Sequence, residues 1–143
     1  MKKIIFISLF AILNFSAQAF AGNVRDELKN YFNDIAVKVR STEDAHQKRE
    51  ILNNSFKKIL TALDEVEQTP MSEKDIQSIK SFREQLNQKY NELNGLNGFT
   101  RVSDKNLNNF AQYSVQDLEQ SAEYVTISIL TLVLIIIAAA LLL

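Results

Sequence analysis

The strongest constraint on the fold is an uninterrupted apolar stretch, 125–143, that carries no charged side chain. As an α-helix these residues would be about 28 Å long, close to the roughly 30 Å thickness of a bilayer core. Tyr124 stands at the entry to the stretch, where an interfacial aromatic ring is favoured. The stretch therefore predicts a C-terminal transmembrane helix. The residues expected to form this anchor are Tyr124, Leu130, Leu134, Ile136 and Leu141.

Residues 1–21 have the layout of a secretory signal peptide. Lys2 and Lys3 precede an apolar run of about 12 residues, and small residues then follow with A-x-A spacing. As a helix this run would be about 18 Å long, which is too short to cross a bilayer, so we expect cleavage rather than retention. Cleavage fits after Ala19 or after Ala21, and we favour Ala21.

Composition excludes several kinds of site. The chain has no cysteine, which rules out disulfides, thiolate metal sites and a lipidated cysteine. Loss of the predicted signal peptide removes two of the 16 basic residues and none of the 17 acidic ones, which leaves a formal net charge of −3. A mildly acidic domain has no positive field to displace counterions from phosphates. We therefore expect no nucleic-acid partner.

The region 22–124 is predicted to be helical nearly throughout, because it contains one proline and only three glycines. Its first part places residues at alternating steps of four and three, as a coiled-coil seam does. Lys38 and Arg49 place charges on this seam. Such charges can set the register and the choice of partner. Alternatively, both side chains extend their charged ends into water from a loosely packed bundle. A capping pattern near Ser41 leaves open whether the seam is one helix or two. The seam consists of Val24, Leu28, Tyr31, Ile35, Lys38, Thr42, Ala45, Arg49, Leu52, Phe56, Ile59, Leu63 and Val66.

Two further helices are expected before the tail. Thr69 and Pro70 suit an N-cap and first helical position, and Ser72 offers a second N-cap one turn later. The helix that follows ends at Gly95, which can take the left-handed conformation at a helix C-terminus. The last helix begins after Ser103 and meets no glycine or proline before the tail, which predicts one continuous rod. The apolar stripes are Ile76, Ile79, Phe82, Leu86, Tyr90 and Leu93, and then Leu107, Phe110, Ser114, Leu118, Ala122 and Val125.

The predicted fold class is all-α: an antiparallel hairpin or bundle of three to four coiled-coil-like helices, followed by the C-terminal transmembrane helix. Helices of matched length joined by short loops favour this arrangement. They are expected at 43–67, 73–93 and 104–124, with 24–40 as a fourth helix or an extension of the first. The loop 95–102 would then lie at the tip, about 30 Å from the membrane. The candidates for binding a partner at this tip are Leu96, Phe99, Arg101 and Val102.

The sequence carries little catalytic or metal-binding chemistry. Glu43, His46 and Glu50 share a helical face, and E-x-x-H is half of the motif used by carboxylate-bridged di-iron bundles. His46 is the only histidine of the chain, so the second half of that motif cannot exist. No G-x-S-x-G nucleophile turn is present. We expect no catalytic residue, no cofactor and no metal site.

These features together predict a single-pass protein of the bacterial cell envelope, held in the inner membrane with domain 22–124 on the periplasmic side. It is expected to act without catalysis as an adaptor, a spacer or a subunit of an envelope complex. Its expected partners are membrane lipid and either another envelope protein or a second copy of itself. The alternative is a membrane-active lysis or pore-forming protein whose C-terminal helix oligomerises. A periplasmic sensing domain ranks third.

Overall fold

The computed structural model describes residues 17–142, and it describes side-chain surroundings for 24–140. Residues 1–16, most of the predicted signal peptide, lie outside it, as does residue 143. Within 17–142 every regular element is a helix and there is no strand, which confirms the predicted all-α class. The elements are α1 Ala17–Ser41, α2 Ala45–Glu67, α3 Glu73–Asn94, a 3-10 turn Asp104–Asn106, α4 Leu107–Ala122 and α5 Ile127–Leu142.

Helices α1 to α4 form an antiparallel four-helix bundle. Short connections reverse the chain between successive helices, and α1 packs against both α2 and α4 while α3 packs against the same two. Each of the four helices contributes one fully buried phenylalanine to the core: Phe32, Phe56, Phe82 and Phe110. The rings of Phe56 and Phe110 meet edge to face, with centroids 6.3 Å apart. Burial of each ring stabilises the fold by about 1.5–3 kcal/mol.

The break between α1 and α2 lies at 42–44, so the seam is two helices. Asp44 is the N-cap of α2, and its carboxylate accepts a hydrogen bond from the backbone N–H of Gln47 at 3.0 Å. The hydroxyl of Thr42 donates to the carbonyl oxygen of Lys38 at 2.7 Å and occupies the end of α1. A polar side chain thus closes each side of the break.

The predicted seam is wrong at the end of α1. Lys38 is exposed there, whereas Ala36 and Val39, which the seam left out, are buried. The seam residue Ile35, one turn earlier, is buried as predicted. An ideal α-helix has 3.6 residues per turn and drifts away from a strict heptad, so the buried face of a straight helix moves by one position within a few turns. The register resumes in α2, where Arg49 is buried as a member of the seam.

Helix α3 begins at Glu73 rather than at Pro70. The hydroxyl of Ser72 accepts from the backbone N–H of Asp75 at 3.2 Å, while the Thr69 hydroxyl donates to Val66 at the end of α2. The second capping position is therefore the one used. The apolar stripe predicted for α4 is buried at every position, including Ser114, whereas Ile76 of the α3 stripe is exposed.

The expected continuous rod from α4 into the tail is wrong, because residues 123–126 separate α4 from α5. Helix α5 has 16 residues and packs against α1 and α2. Of the helices that the structure describes, none combines the length and the apolar character needed to cross a membrane. The predicted transmembrane helix over 125–143 is therefore not supported.

Candidate interaction surfaces: the tip loop and the C-terminal helix

The loop between α3 and the 3-10 turn forms one end of the bundle, and it begins with a helix cap. Gly95 takes the left-handed conformation with φ 67° and ψ 42°, and its N–H donates to the carbonyl of Asn91. A Cβ atom at this position would lie 2.8 Å from the Cβ of Arg101 and 2.9 Å from its backbone nitrogen. Glycine is required here both by the backbone conformation and by the close approach of the returning loop.

The second Asn-Gly step of the loop makes a tight turn. Asn97 and Gly98 have φ values of 53° and 86°, and the N–H of Phe99 donates to the carbonyl of Leu96 at 3.1 Å. Two successive positive φ angles are the signature of a type I′ turn, for which Asn-Gly is the preferred pair. The turn fixes Leu96 and Phe99 at its two ends, and both side chains are exposed.

A buried arginine of α2 holds the loop against the bundle. The Arg49 guanidinium donates from Nη1 to the carbonyl of Leu93 at 2.7 Å and from Nη2 to the carbonyl of Val102 at 2.6 Å. Nη2 also pairs with the Asp104 carboxylate at 3.0 Å. One side chain thus joins the end of α3, the end of the loop and the start of the 3-10 turn.

The four predicted tip residues divide into two groups. Leu96, Phe99 and Arg101 are exposed. Val102 instead is half-buried and packs against the core, and its carbonyl is one of the acceptors of Arg49. The surface that a partner can reach at the tip therefore consists of the first three residues.

Helix α5 has two different faces. One face is buried in the bundle and consists of Ile129, Leu130, Val133 and Ile137. The opposite face exposes Ile127, Leu132 and Ile135, so apolar side chains lie on both sides of this helix. No charged residue occurs anywhere in 124–143. An apolar strip on a surface is a feature that usually marks contact with a partner or a membrane.

The predicted anchor residues are distributed over both faces. Tyr124 is 84% exposed, whereas Leu130 is 1% exposed and belongs to the core. Leu134 and Ile136 are half-buried and pack against that core. The surroundings of the Leu141 side chain lie outside the described residues.

The junction of α4 and α5 is held by contacts from distant parts of the chain. The Arg25 guanidinium donates from Nη1 to the carbonyl of Ala122 and from Nη2 to the carbonyl of Val125, each at 3.0 Å. The Thr126 hydroxyl donates to the Asp75 carboxylate at 3.0 Å. Arg25 binds carbonyls that a continuous helix would use for its own hydrogen bonds, and it thereby stabilises the break.

A polar cluster joins α3 to α4. The Lys89 ammonium lies 2.5 Å from the Asp117 carboxylate and 4.7 Å from the centre of the Tyr113 ring. The Tyr113 hydroxyl donates to the Glu92 carboxylate. Burial and then the hydrogen bond to Glu92 raise the pKa of Tyr113 well above its usual range, so the phenol stays protonated. The cluster is a cross-link between two helices, and no sequence pattern indicated it.

The residues considered for metal binding do not converge. Glu43, just before α2, and His46 and Glu50, in its first turns, are all exposed. The described part of the chain holds no group of three or more histidine, aspartate and glutamate side chains that could bind a metal ion. That the protein is not an enzyme stays a prediction.

Comparison of the chain with protein-family models, with curated proteins and with solved structures finds no match.

Proposed function

We propose that the protein is a non-catalytic helical adaptor of the bacterial cell envelope, exported to the periplasmic side and attached to the inner membrane through α5. The observation that carries this proposal is the outward face of α5, where Ile127, Leu132 and Ile135 stay exposed although the opposite face is buried. Exposure of such a strip to water is unfavourable, and contact with lipid removes that cost.

The chemistry of the strip favours lipid as its occupant. Residues 124–143 contain no charge that would have to be desolvated, and the aromatic ring of Tyr124 stands exposed where the strip begins. Tyrosine is enriched at the boundary between hydrocarbon and water. A helix that lies in the headgroup region needs one apolar face and no spanning length. This mode of attachment suits a helix of 16 residues.

The tip loop supplies the other half of an adaptor. Asp75, which binds the α4–α5 junction, and Leu93, which binds Arg49 at the tip, lie at opposite ends of α3. The 18 residue steps from Asp75 to Leu93 correspond to about 27 Å of helix. A loop fixed by a type I′ turn and by Arg49 presents Leu96 and Phe99 with little conformational entropy left to lose on binding.

Vesicle flotation tests the membrane contact. The full chain is mixed with vesicles of phosphatidylethanolamine and phosphatidylglycerol and floated on a density gradient. We expect wild type to float and Ile135→Lys to lose most of its binding. Ile76→Lys is the matched control, because Ile76 on α3 is 47% exposed and Ile135 is 48% exposed. Equal flotation of the two variants, or no flotation of wild type, contradicts the proposal.

The intact mass of the protein recovered from a cell membrane fraction tests export. A mass that begins at Phe20 or Gly22 and runs through Leu143 supports a cleaved leader with a retained tail. A mass that retains Met1, or one that ends near Tyr124, contradicts it. Growth arrest on overexpression that Ile135→Lys relieves would favour the pore-forming alternative over the adaptor.

A further inference from the structure

Helices α3 and α4 border an open surface groove of about 950 Å³ that none of the contacts described above explains. Gln77, Ser81 and Gln85 line one wall at intervals of one helical turn. The opposite wall comes from α4 and the junction after it, with Asp117, Gln120, Ser121, Glu123 and Tyr124. Buried Phe82 forms part of the lining between the walls. The groove follows about 12 Å of α3 from residue 77 to residue 85, long enough for a short linear ligand.

The lining of this groove is polar but nearly uncharged. Three glutamine and three serine side chains lie along it. The glutamine amides and the Ser81 hydroxyl can both donate and accept hydrogen bonds. The hydroxyls of Ser78 and Ser121 donate to carbonyls of their own helices and offer a ligand an acceptor. The described lining residues include no lysine or arginine, so a phosphate or another anion finds no charge partner there. Of the two acidic members, Asp117 is already paired with Lys89 at 2.5 Å. An apolar ligand is disfavoured as well, because it would leave the amides and hydroxyls without partners.

An exposed aromatic ring stands at one end of the groove. Tyr124 is 84% exposed although it lies two positions after the buried Ala122 of α4 and directly before the buried Val125. Its ring offers an apolar face with a polar tip, the combination that stacks on the C–H face of a sugar ring while its hydroxyl reaches sugar hydroxyls. The site thus combines a stacking surface with two rows of amides and hydroxyls.

We propose that the groove between α3 and α4 binds a neutral oligosaccharide, with Tyr124 stacking on one sugar ring and the glutamines and serines binding the hydroxyls of its neighbours. This site shares Tyr124 with the proposed membrane contact but uses none of Ile127, Leu132 and Ile135, so the two proposals can fail separately. The oligosaccharide could come from an amino-sugar polymer or from a neutral glucan. Only the first carries N-acetyl groups, to which the glutamine amides of the groove could bind.

Titration of the full chain with two trisaccharides, chitotriose and maltotriose, tests this site. Backbone amide NMR signals are followed in the absence of lipid, so the outcome is separate from the vesicle experiment. We expect saturable shifts confined to the groove with at least one trisaccharide. Shifts with chitotriose alone would identify an amino-sugar site, and shifts with maltotriose alone would identify a glucan site. Shifts with both would mean that the site recognises the sugar hydroxyls.

Three variants assign the binding to the groove. Tyr124→Ala should weaken binding by about tenfold or more, because aromatic anchors carry a large share of binding energy. Gln85→Ala should weaken it several-fold. Gln88→Ala is the matched control, since Gln88 is exposed on the same helix but does not line the groove. All three sites lie on the surface, so the unliganded spectrum verifies folding before each titration.

Three outcomes overturn the proposal. The first is the absence of saturable shifts with either trisaccharide. The second is an affinity that Tyr124→Ala and Gln85→Ala leave unchanged. The third is saturable binding of an extended peptide rich in serine and glutamine in place of both saccharides, which would make the groove a peptide site.

Discussion

Arg49 places a positive charge inside the bundle and satisfies it with three acceptors. Two of these are carbonyls, Leu93 at the end of α3 and Val102 in the tip loop, and the third is the Asp104 carboxylate. The last carbonyls of a helix carry partial negative charge, so they suit a buried cation. The Asp104 side chain is largely exposed, and an exposed partner contributes little because water screens it. The two carbonyls therefore dominate.

Substitution at Arg49 tests this division. Arg49→Ala should lower the free energy of unfolding by about 3 kcal/mol, because it leaves two carbonyls without their donor and a gap beside the core. Asp104→Ala, which removes only the screened ion pair, should cost less than about 1 kcal/mol. Urea unfolding of both variants measures the difference. Equal losses would show that the ion pair, and not the carbonyl contacts, holds the loop.

The half-buried phenol of Tyr31 makes stability fall at alkaline pH. Burial raises the pKa of Tyr31 from 10.0 to about 12. Between these two values the folded state retains a proton that the unfolded state releases, so the stabilisation is complete below pH 10 and is lost as pH rises toward about 12. Tyr31→Phe should match wild type at neutral pH and lose less stability over this window. Denaturant unfolding at stepped pH measures it, and parallel curves for the two proteins would contradict the assignment.

At the scale of single elements, the sequence predicts helix ends well where they depend on hydrogen bonds between residues close in the chain. The N-caps at Asp44 and Ser72 and the C-cap at Gly95 follow from local hydrogen bonding, and the structure has all three helix ends within a few residues of the predicted positions. The tip loop 95–102 was predictable for the same reason. The inward position of Val102 was not predictable, because it depends on core packing and on a carbonyl contact with Arg49, which lies 53 residues away.

The break between α4 and α5 could not be predicted from local sequence. Residues 123–126 contain no glycine and no proline. The contacts that stabilise it come from the Arg25 side chain, which lies 97 residues before Ala122 and 100 before Val125. The cross-link between Lys89 and Asp117 was missed for a similar reason, since nothing in either helix alone indicates that the two residues meet. Tertiary contacts of this kind override helix propensity.

The two glycines of the tip loop differ in what an added Cβ atom would cost: at Gly98 only backbone strain, and at Gly95 both strain and a steric clash. Both have positive φ, but a Cβ on Gly95 would meet Arg101 at 2.8 Å, whereas a Cβ on Gly98 would meet no atom within 4 Å. Gly98→Ala should therefore cost about 1 kcal/mol from conformation alone, and Gly95→Ala about 3 kcal/mol. Thermal unfolding followed by circular dichroism compares them. A loss at Gly98 as large as that at Gly95 would mean that contact with Arg101 is unimportant.

At the scale of the whole molecule, α5 is both part of the core and part of the surface. Two leucines on this helix distinguish the roles: Leu130 is 1% exposed and Leu132 is 37% exposed. Leu130→Ala should lower the free energy of unfolding by about 3 kcal/mol because it opens a cavity against α1. Leu132→Ala should change stability by less than about 1 kcal/mol. Urea unfolding checks both, and an unchanged Leu130→Ala variant would mean that α5 does not pack on the bundle in solution.

The contact of Arg25 with Ala122 and Val125 has a consequence for the order in which the chain folds. A chain that emerges from its N-terminus cannot make this contact until about a hundred residues have followed Arg25. The hairpin of α2 and α3 needs only short-range contacts and is available earlier, since loop closure is slower for more distant partners. We therefore expect amide protection in α2 and α3 to precede protection in α1 during refolding. Pulsed hydrogen exchange measures that order, and simultaneous protection of all three helices would refute it.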